Sequence, residues 1–186
     1  MIVGFGHRAQ VGKDTAGAWL VEHGWERLAF ADLVRDVLYQ MDPVVDPVST
    51  EYYFTLKAMV DTMGWEMAKN NTEVRGLLQK LGHGLREILD PDVWCRPIIK
   101  RAEDLDEDGI NVVITDVRYF NEVMGIRLAG GRVYRVDRVV QSLRHAGEEQ
   151  LDEFQDWDGV IDNNGSTENL YRQVQDLVMD YTLDVD

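Results

Sequence analysis

Phe5-Gly6-His7-Arg8-Ala9-Gln10-Val11-Gly12-Lys13-Asp14-Thr15 constrains the fold more than any other stretch of the chain. An apolar run, Ile2-Val3-Gly4-Phe5, leads into it. Helical spacing from Asp14 to His23, with Ala16, Trp19 and Leu20 able to share a face, leads out. Strand, glycine-bounded loop and helix in that order put Gly12-Lys13 at a helix N-terminus, where unpaired amides and the helix dipole favour an anion. A phosphate-holding loop needs inward backbone amides, a lysine reaching the β- and γ-phosphates, and a hydroxyl beside magnesium. The lysine and the helix start are plain, but the letters depart twice from G-x-x-x-x-G-K-[ST]. His7 stands where the first glycine belongs, with Gly6 one residue early, and Asp14 stands at the Ser/Thr position. His7 is unstrained only if its φ is negative. Asp14 reads either as a first-turn residue favoured by the dipole or as a carboxylate near Mg²⁺, directly or through water, and Thr15 can supply the hydroxyl.

The rest of the chain repeats the alternation. Gly24 ends the first helix, Arg27 to Phe30 reads as a strand, Asp32 to Gln40 as a helix, and Pro43 and Pro47 break the chain. Helical patterns cover 51–69 and 72–89, the second with Val74, Leu77, Leu78 and Leu81 as its apolar stripe. Pro91 suits the first turn of a helix running to about Ala102, and the five carboxylates between Glu103 and Gly109 read as a solvated turn. Asn111-Val112-Val113-Ile114-Thr115 is the clearest buried strand. A helix over 121–128, a strand over 132–136, a polar stretch without a strand over 137–158, a strand over 159–162 and a final helix over 167–183 complete the pattern. Five strands alternating with helices predict a three-layer α/β sandwich with a parallel sheet, whose ligands sit at the strands' C-terminal ends. The length, 186 residues, suits one such domain with a lid or small insertion rather than two full domains.

Charge narrows the partners. Nineteen Lys and Arg against thirty-four Asp and Glu give a net charge of -15, which opposes stable nucleic-acid binding and association with an anionic membrane. Cys95, the only cysteine, cannot form an internal disulfide, and no stretch is long and apolar enough to span a bilayer. With no basic segment before Ile2, a signal peptide is not expected. These features lead us to expect a cytoplasmic protein.

The words "GKDT", "FADLVRDVL" (30–38), "LLQKLGHGLREILDPDVW" (77–94), "VVITDVRYFNE" (112–122) and "NNGSTENL" (163–170), in this order, resemble the phage-type deoxynucleoside monophosphate kinases. The resemblance spans nearly the whole chain. It implies the P-loop nucleoside monophosphate kinase fold with a five-stranded parallel sheet, a helical acceptor-binding region (31–110), a mobile lid (137–158) and a closing segment (159–186). It also implies Mg²⁺-ATP as donor, a deoxynucleoside 5'-monophosphate as acceptor and, for a phage-encoded chain, the host cytoplasm. Donor contacts are expected at Arg8, Gln10, Val11, Gly12, Lys13, Asp14 and Thr15, and at Asn163 and Asn164 in the loop that resembles the one beneath the adenine; Asp14 and Thr15 are the candidate metal ligands.

Transfer between polyphosphate anions is mostly positioning plus cations, so arginines should converge on the transferring group. By resemblance Arg35, Arg75 and Arg118 take the acceptor phosphate, with Arg86 a further candidate. Phe30, Asp32, Gln79, Trp94 and Glu122 are candidate acceptor contacts; Asp32 reads equally as a helix cap and Trp94 as core packing. Asp116, beside Arg118 at the end of a buried strand, reads as a water-mediated magnesium contact or as a partner orienting Arg118. Arg138 and Arg144 would reach in from the lid, or the segment is an ordinary long surface connection. His83 and His145 have no second ligand at metal spacing. A dephospho-coenzyme A kinase or other small-metabolite kinase shares the same core, a non-catalytic nucleotide-binding module is the reading from another class, and a homodimer is left open.

Overall fold

Both faces of a central parallel sheet are covered, so its strands must be apolar almost throughout. The central strand, β1 (Ile2–Gly6), is buried at every residue. The computed structural model describes residues 1–45, 54–139 and 150–183, with side chains to 179. Its chain forms two compact units, one of residues 1–29 with 95–186 and one of residues 30–94.

The first unit contains the sheet. β1 is flanked by β5 (Val112–Val117) and β6 (Arg132–Asp137), with β2 (Glu26–Leu28) and β7 (Gly159–Asp162) at the edges, giving the order β2-β5-β1-β6-β7. Every pairing is parallel; Ile2 lies opposite Val112, Val3 opposite Arg132 and Tyr134 opposite Gly159. The register shifts between Gly4 and Gly6, where β1 passes into the loop. Helices α1 (Lys13–Glu22) and α7 (Thr167–Leu183) cover one face, joining Ala16, Leu20, Leu170 and Val174 to Val3, Phe5, Val113, Val136 and Ile161. On the other face α5 (Cys95–Glu107) and α6 (Phe120–Leu128) pack on β1, β5 and β6. The five-stranded parallel sandwich expected from the sequence is thus the fold.

β2 ends at Leu28 and α5 starts at Cys95 rather than at Pro91, and two further differences in this unit have local causes. α5 runs through Glu107, beyond the expected end at Ala102, because an i,i+4 pair between Lys100 and Asp104 stabilises the charged turns in helical form. It also packs on the sheet, so the helical region ends at Trp94 rather than at 110.

The second unit is built on Leu38, Val45, Leu56 and Val74, buried among Met59, Trp65, Leu77, Leu78 and Leu81. α2 (Phe30–Met41) leads to a short antiparallel pair, β3 (Val44–Val45) with β4 (Phe54–Thr55). α3 (Leu56–Ala68) follows, broken at Gly64, and then α4 (Thr72–Ile88). Asn71 caps α4, its Oδ1 accepting the Glu73 and Val74 amides. The helix expected from 51 starts at Leu56 instead, since 54 and 55 are committed to β4; residues 51–53 lie outside the described residues. Among the described residues no helix is long and apolar enough to cross a membrane.

Candidate active site

β1 delivers its loop to the centre of the sheet's C-terminal edge, where the chain turns through three left-handed residues: His7 (φ 91), Gln10 (φ 62) and Gly12 (φ 101). Gly12 is the N-cap of α1 and offers no side chain; the first bond of the helix runs from Ala16 N to Gly12 O. The amides of Lys13, Asp14 and Thr15 therefore have no acceptor within the helix, the arrangement that binds phosphate oxygens. Lys13 is 6% exposed and its Nζ donates to His7 O (2.8 Å) and Arg8 O (2.5 Å), bracing the ammonium across the loop. Asp14 and Thr15 lie exposed on the first helical turn. They carry the oxygen donors that Mg²⁺ takes alongside substrate phosphates. Among the described residues no group of three ligating side chains forms a closed metal site.

Asn163, just past β7, reaches the same loop. Its Nδ2 donates to Val11 O at 2.7 Å, and a Cβ on Gly12 would lie 2.1 Å from that nitrogen. Asn163 thus ties the strand β7 to the loop after β1. Asn164 is exposed and bonds Asp162 Oδ1 and the Val139 amide.

The positive φ of His7 means its backbone is strained. Its ring is buried between two carboxylates, with Nδ1 3.0 Å from Asp137 Oδ1, off hydrogen-bond alignment, and Nε2 3.4 Å from Asp152 Oδ1. Arg135 Nε donates to Asp137 at 2.7 Å, and Arg8 grips Asp152 with two bonds of 3.0 and 2.8 Å. Burial, then the neighbouring Arg135, pushes the His7 pKa below the usual histidine value, against the pull of Asp137 and Asp152. The bonded Arg8 lowers that of Asp152. Arg8 is therefore committed to a carboxylate of the protein, although expected at the donor.

The C-terminal end of β5 carries Asp116 and Arg118. Arg118 is exposed, and its guanidinium has no ion-pair partner among the described residues. Glu122 is a correction: it is 1% exposed, and its Oε2 accepts the Arg118 amide at 2.7 Å and the Tyr119 amide at 3.1 Å. It caps α6 and is not free to contact an acceptor. Residues 150–158, expected within the lid, are docked on this unit. Leu151 is buried, Arg127 bonds Asp156 and Asp158, Phe154 packs between Phe120 and Trp157, and Trp157 fills the space beside Gly6, where a Cβ would lie 2.6 Å from the indole. Arg138 is exposed after β6; Arg144 and the rest of 140–149 lie outside the described residues.

A model of the deoxynucleotide monophosphate kinase family matches residues 40–174. The chain belongs to that family. A protein of Acanthamoeba polyphaga mimivirus, provisionally described as a deoxynucleotide monophosphate kinase, is 24% identical over 181 residues, covering 88% of each chain. The structure of dephospho-CoA kinase from Campylobacter jejuni superposes with a TM-score of 0.55 at 12% identity, covering 100% of this chain and 98% of that one. That likeness shows the fold, a P-loop kinase fold. The protein is a kinase of the nucleotide-binding class.

In this kinase the remaining candidates belong to the helical unit. Arg35 Nη1 donates to Asp32 Oδ1 at 3.2 Å within the first turns of α2, so Asp32 is a first-turn partner of Arg35 rather than an N-cap. Arg75 and Gln79 are exposed on α4; Arg75 Nε bonds Lys69 O, and Arg86 reaches Pro91 O. Trp94 is buried with its Nε1 donating to Gly82 O at 2.9 Å, which gives it the packing role, and Phe30 is likewise buried and exposes no ring face to a base. Sequence reasoning missed Asp137 and Asp152. They lie in or beside a polar stretch with no periodicity, and only the fold sets them against residue 7.

Proposed function

We propose that the chain transfers the γ-phosphoryl group of Mg²⁺-ATP to a deoxynucleoside 5'-monophosphate, giving the diphosphate and ADP for DNA synthesis. The observation that carries this is the Lys13 ammonium braced over a left-handed loop at the start of α1, in a chain of the deoxynucleotide monophosphate kinase family. An oxygen of the acceptor phosphate forms a bond to the γ-phosphorus, the bond from that phosphorus to the bridging oxygen breaks, and ADP leaves. Lys13 and the first-turn amides of α1 hold the donor phosphates and meet the developing charge. Asp14 and Thr15 would hold Mg²⁺, which would supply positive charge to the donor phosphates there. Arg118 has a guanidinium available for the transferring group, Asp116 stands beside it, and Arg35, Arg75 and Arg86 are the helical unit's candidates for the acceptor phosphate.

The test is ADP formation with Mg²⁺-ATP across the common deoxy- and ribonucleoside monophosphates, with dephospho-coenzyme A as a further acceptor. Turnover confined to deoxynucleoside monophosphates is expected. Phosphorylation of dephospho-coenzyme A alone would replace the acceptor class. Folded protein that binds Mg²⁺-ATP yet turns over no acceptor would be a binding module.

A further inference from the structure

The Lys13 ammonium has three N–H groups. It donates to the carbonyls of His7 and Arg8. Where those carbonyls stand therefore decides where the ammonium and its positive charge sit. The backbone carrying them does not hold itself, because a non-glycine residue at φ 91 persists only where its surroundings over-determine it. The side chains of both residues meet at one group. Asp152 accepts two bonds from Arg8, and its Oδ1 lies 3.4 Å from His7 Nε2. Asp137, held by Arg135, takes the other side of the imidazole. Asp152 itself is fixed by the docking of its segment, through buried Leu151, through Trp157 against Gly6 and through Arg127 with Asp156 and Asp158.

We propose that Asp152 is a positioning residue of the donor site: by holding the side chains of His7 and Arg8 together, it fixes the two carbonyls on which Lys13 is braced. Asp152 need not touch the nucleotide; its effect on binding passes through Lys13. The proposal rests on the donor reading of the loop and is independent of which acceptor is used.

A double-mutant cycle read by calorimetric titration with Mg²⁺-ATP tests it. Asp152→Asn keeps the shape and removes the charge that holds Arg8. It is expected to weaken binding about tenfold when Lys13 is present and less than about twofold in a Lys13→Ala background, since residues acting through one another are not additive. Asp152→Glu, which restores a carboxylate, is expected to recover most of the affinity. A merely structural ion pair on a partly exposed surface would instead change affinity by the same factor in both backgrounds, or not at all, and either result overturns the proposal. If Asp152→Asn loses its fold, Arg8→Gln opens the same clasp from its exposed end and is read in the same cycle. Wild-type protein that binds no Mg²⁺-ATP overturns the donor reading, and the proposal with it, before any variant is compared.

Discussion

Replacing Gly12 with alanine puts a methyl group where the fold has no room. The added Cβ would stand 2.1 Å from Asn163 Nδ2 and 3.3 Å from its Cγ, on a backbone at φ +101. Left-handed backbone costs a non-glycine residue about 1–2 kcal/mol. Asn163 must also swing out, breaking its 2.7 Å bond to Val11 O, in a residue 1% exposed. A buried acceptor left unsatisfied costs about 1–3 kcal/mol. The sum is about 2–5 kcal/mol, which for a chain of this length lowers Tm by about 4–20 °C. Melting curves of wild type, Gly12→Ala, Asn163→Ala and the double variant decide the matter. Asn163→Ala loses only the bond and is expected to cost about 1–3 kcal/mol. Once that side chain is gone the methyl meets no neighbour, so Gly12→Ala should then cost only the backbone strain, about 1–2 kcal/mol. An unchanged Tm for Gly12→Ala, or strict additivity in the double variant, would refute this account of the junction.

Arg118→Ala is expected to lower kcat/KM by about 10²–10³-fold with an unchanged Tm, as for loss of a group that stabilises developing charge; an unchanged kcat/KM would return Arg118 to a surface role. Glu122→Ala should do the reverse, lowering Tm by about 2–12 °C because two helix-start amides lose their acceptor; a wild-type melting curve would refute the capping assignment. For pH, the folded His7 pKa lies below its ordinary value of 6.5, so the unfolded chain takes up the proton first. Its contribution to stability is complete above 6.5 and is lost as pH falls from there toward the depressed folded value. His7→Asn, which tolerates left-handed backbone, should lack that part of the decline in Tm between pH 7.5 and 5; parallel declines in both proteins would sink the argument.

The strand at 112 was legible because burial on both faces demands a continuous apolar run, the strand at 132 because its residues alternate, and the strand-loop-helix at the start because a phosphate loop demands a helix start. The β3–β4 pair was not, since two-residue strands carry no period and exist only because the second unit closes around Val45 and Leu56. The charged run after Ala102 read as a turn because carboxylates repel; the deciding pair, Lys100 with Asp104, spans the expected boundary. At the site, the residues next to the loop in sequence were found, while Asp137, Asp152 and the joining role of Asn163 depend on the order of strands in space. Glu122 and Trp94 were drawn toward the acceptor by resemblance, though burial gives one to a helix end and the other to a core.

The bond between Asn163 and Val11 joins residues 152 positions apart. Such a contact of high sequence separation can form only once both ends of the chain segment are in place. A growing chain can lay down β1, α1 and β5 well before residue 163 exists. The loop assigned above to ATP is therefore completed by a residue made long after it, and nucleotide binding can report that step: tight binding in a refolding or translation time course is expected only once residue 163 is in place.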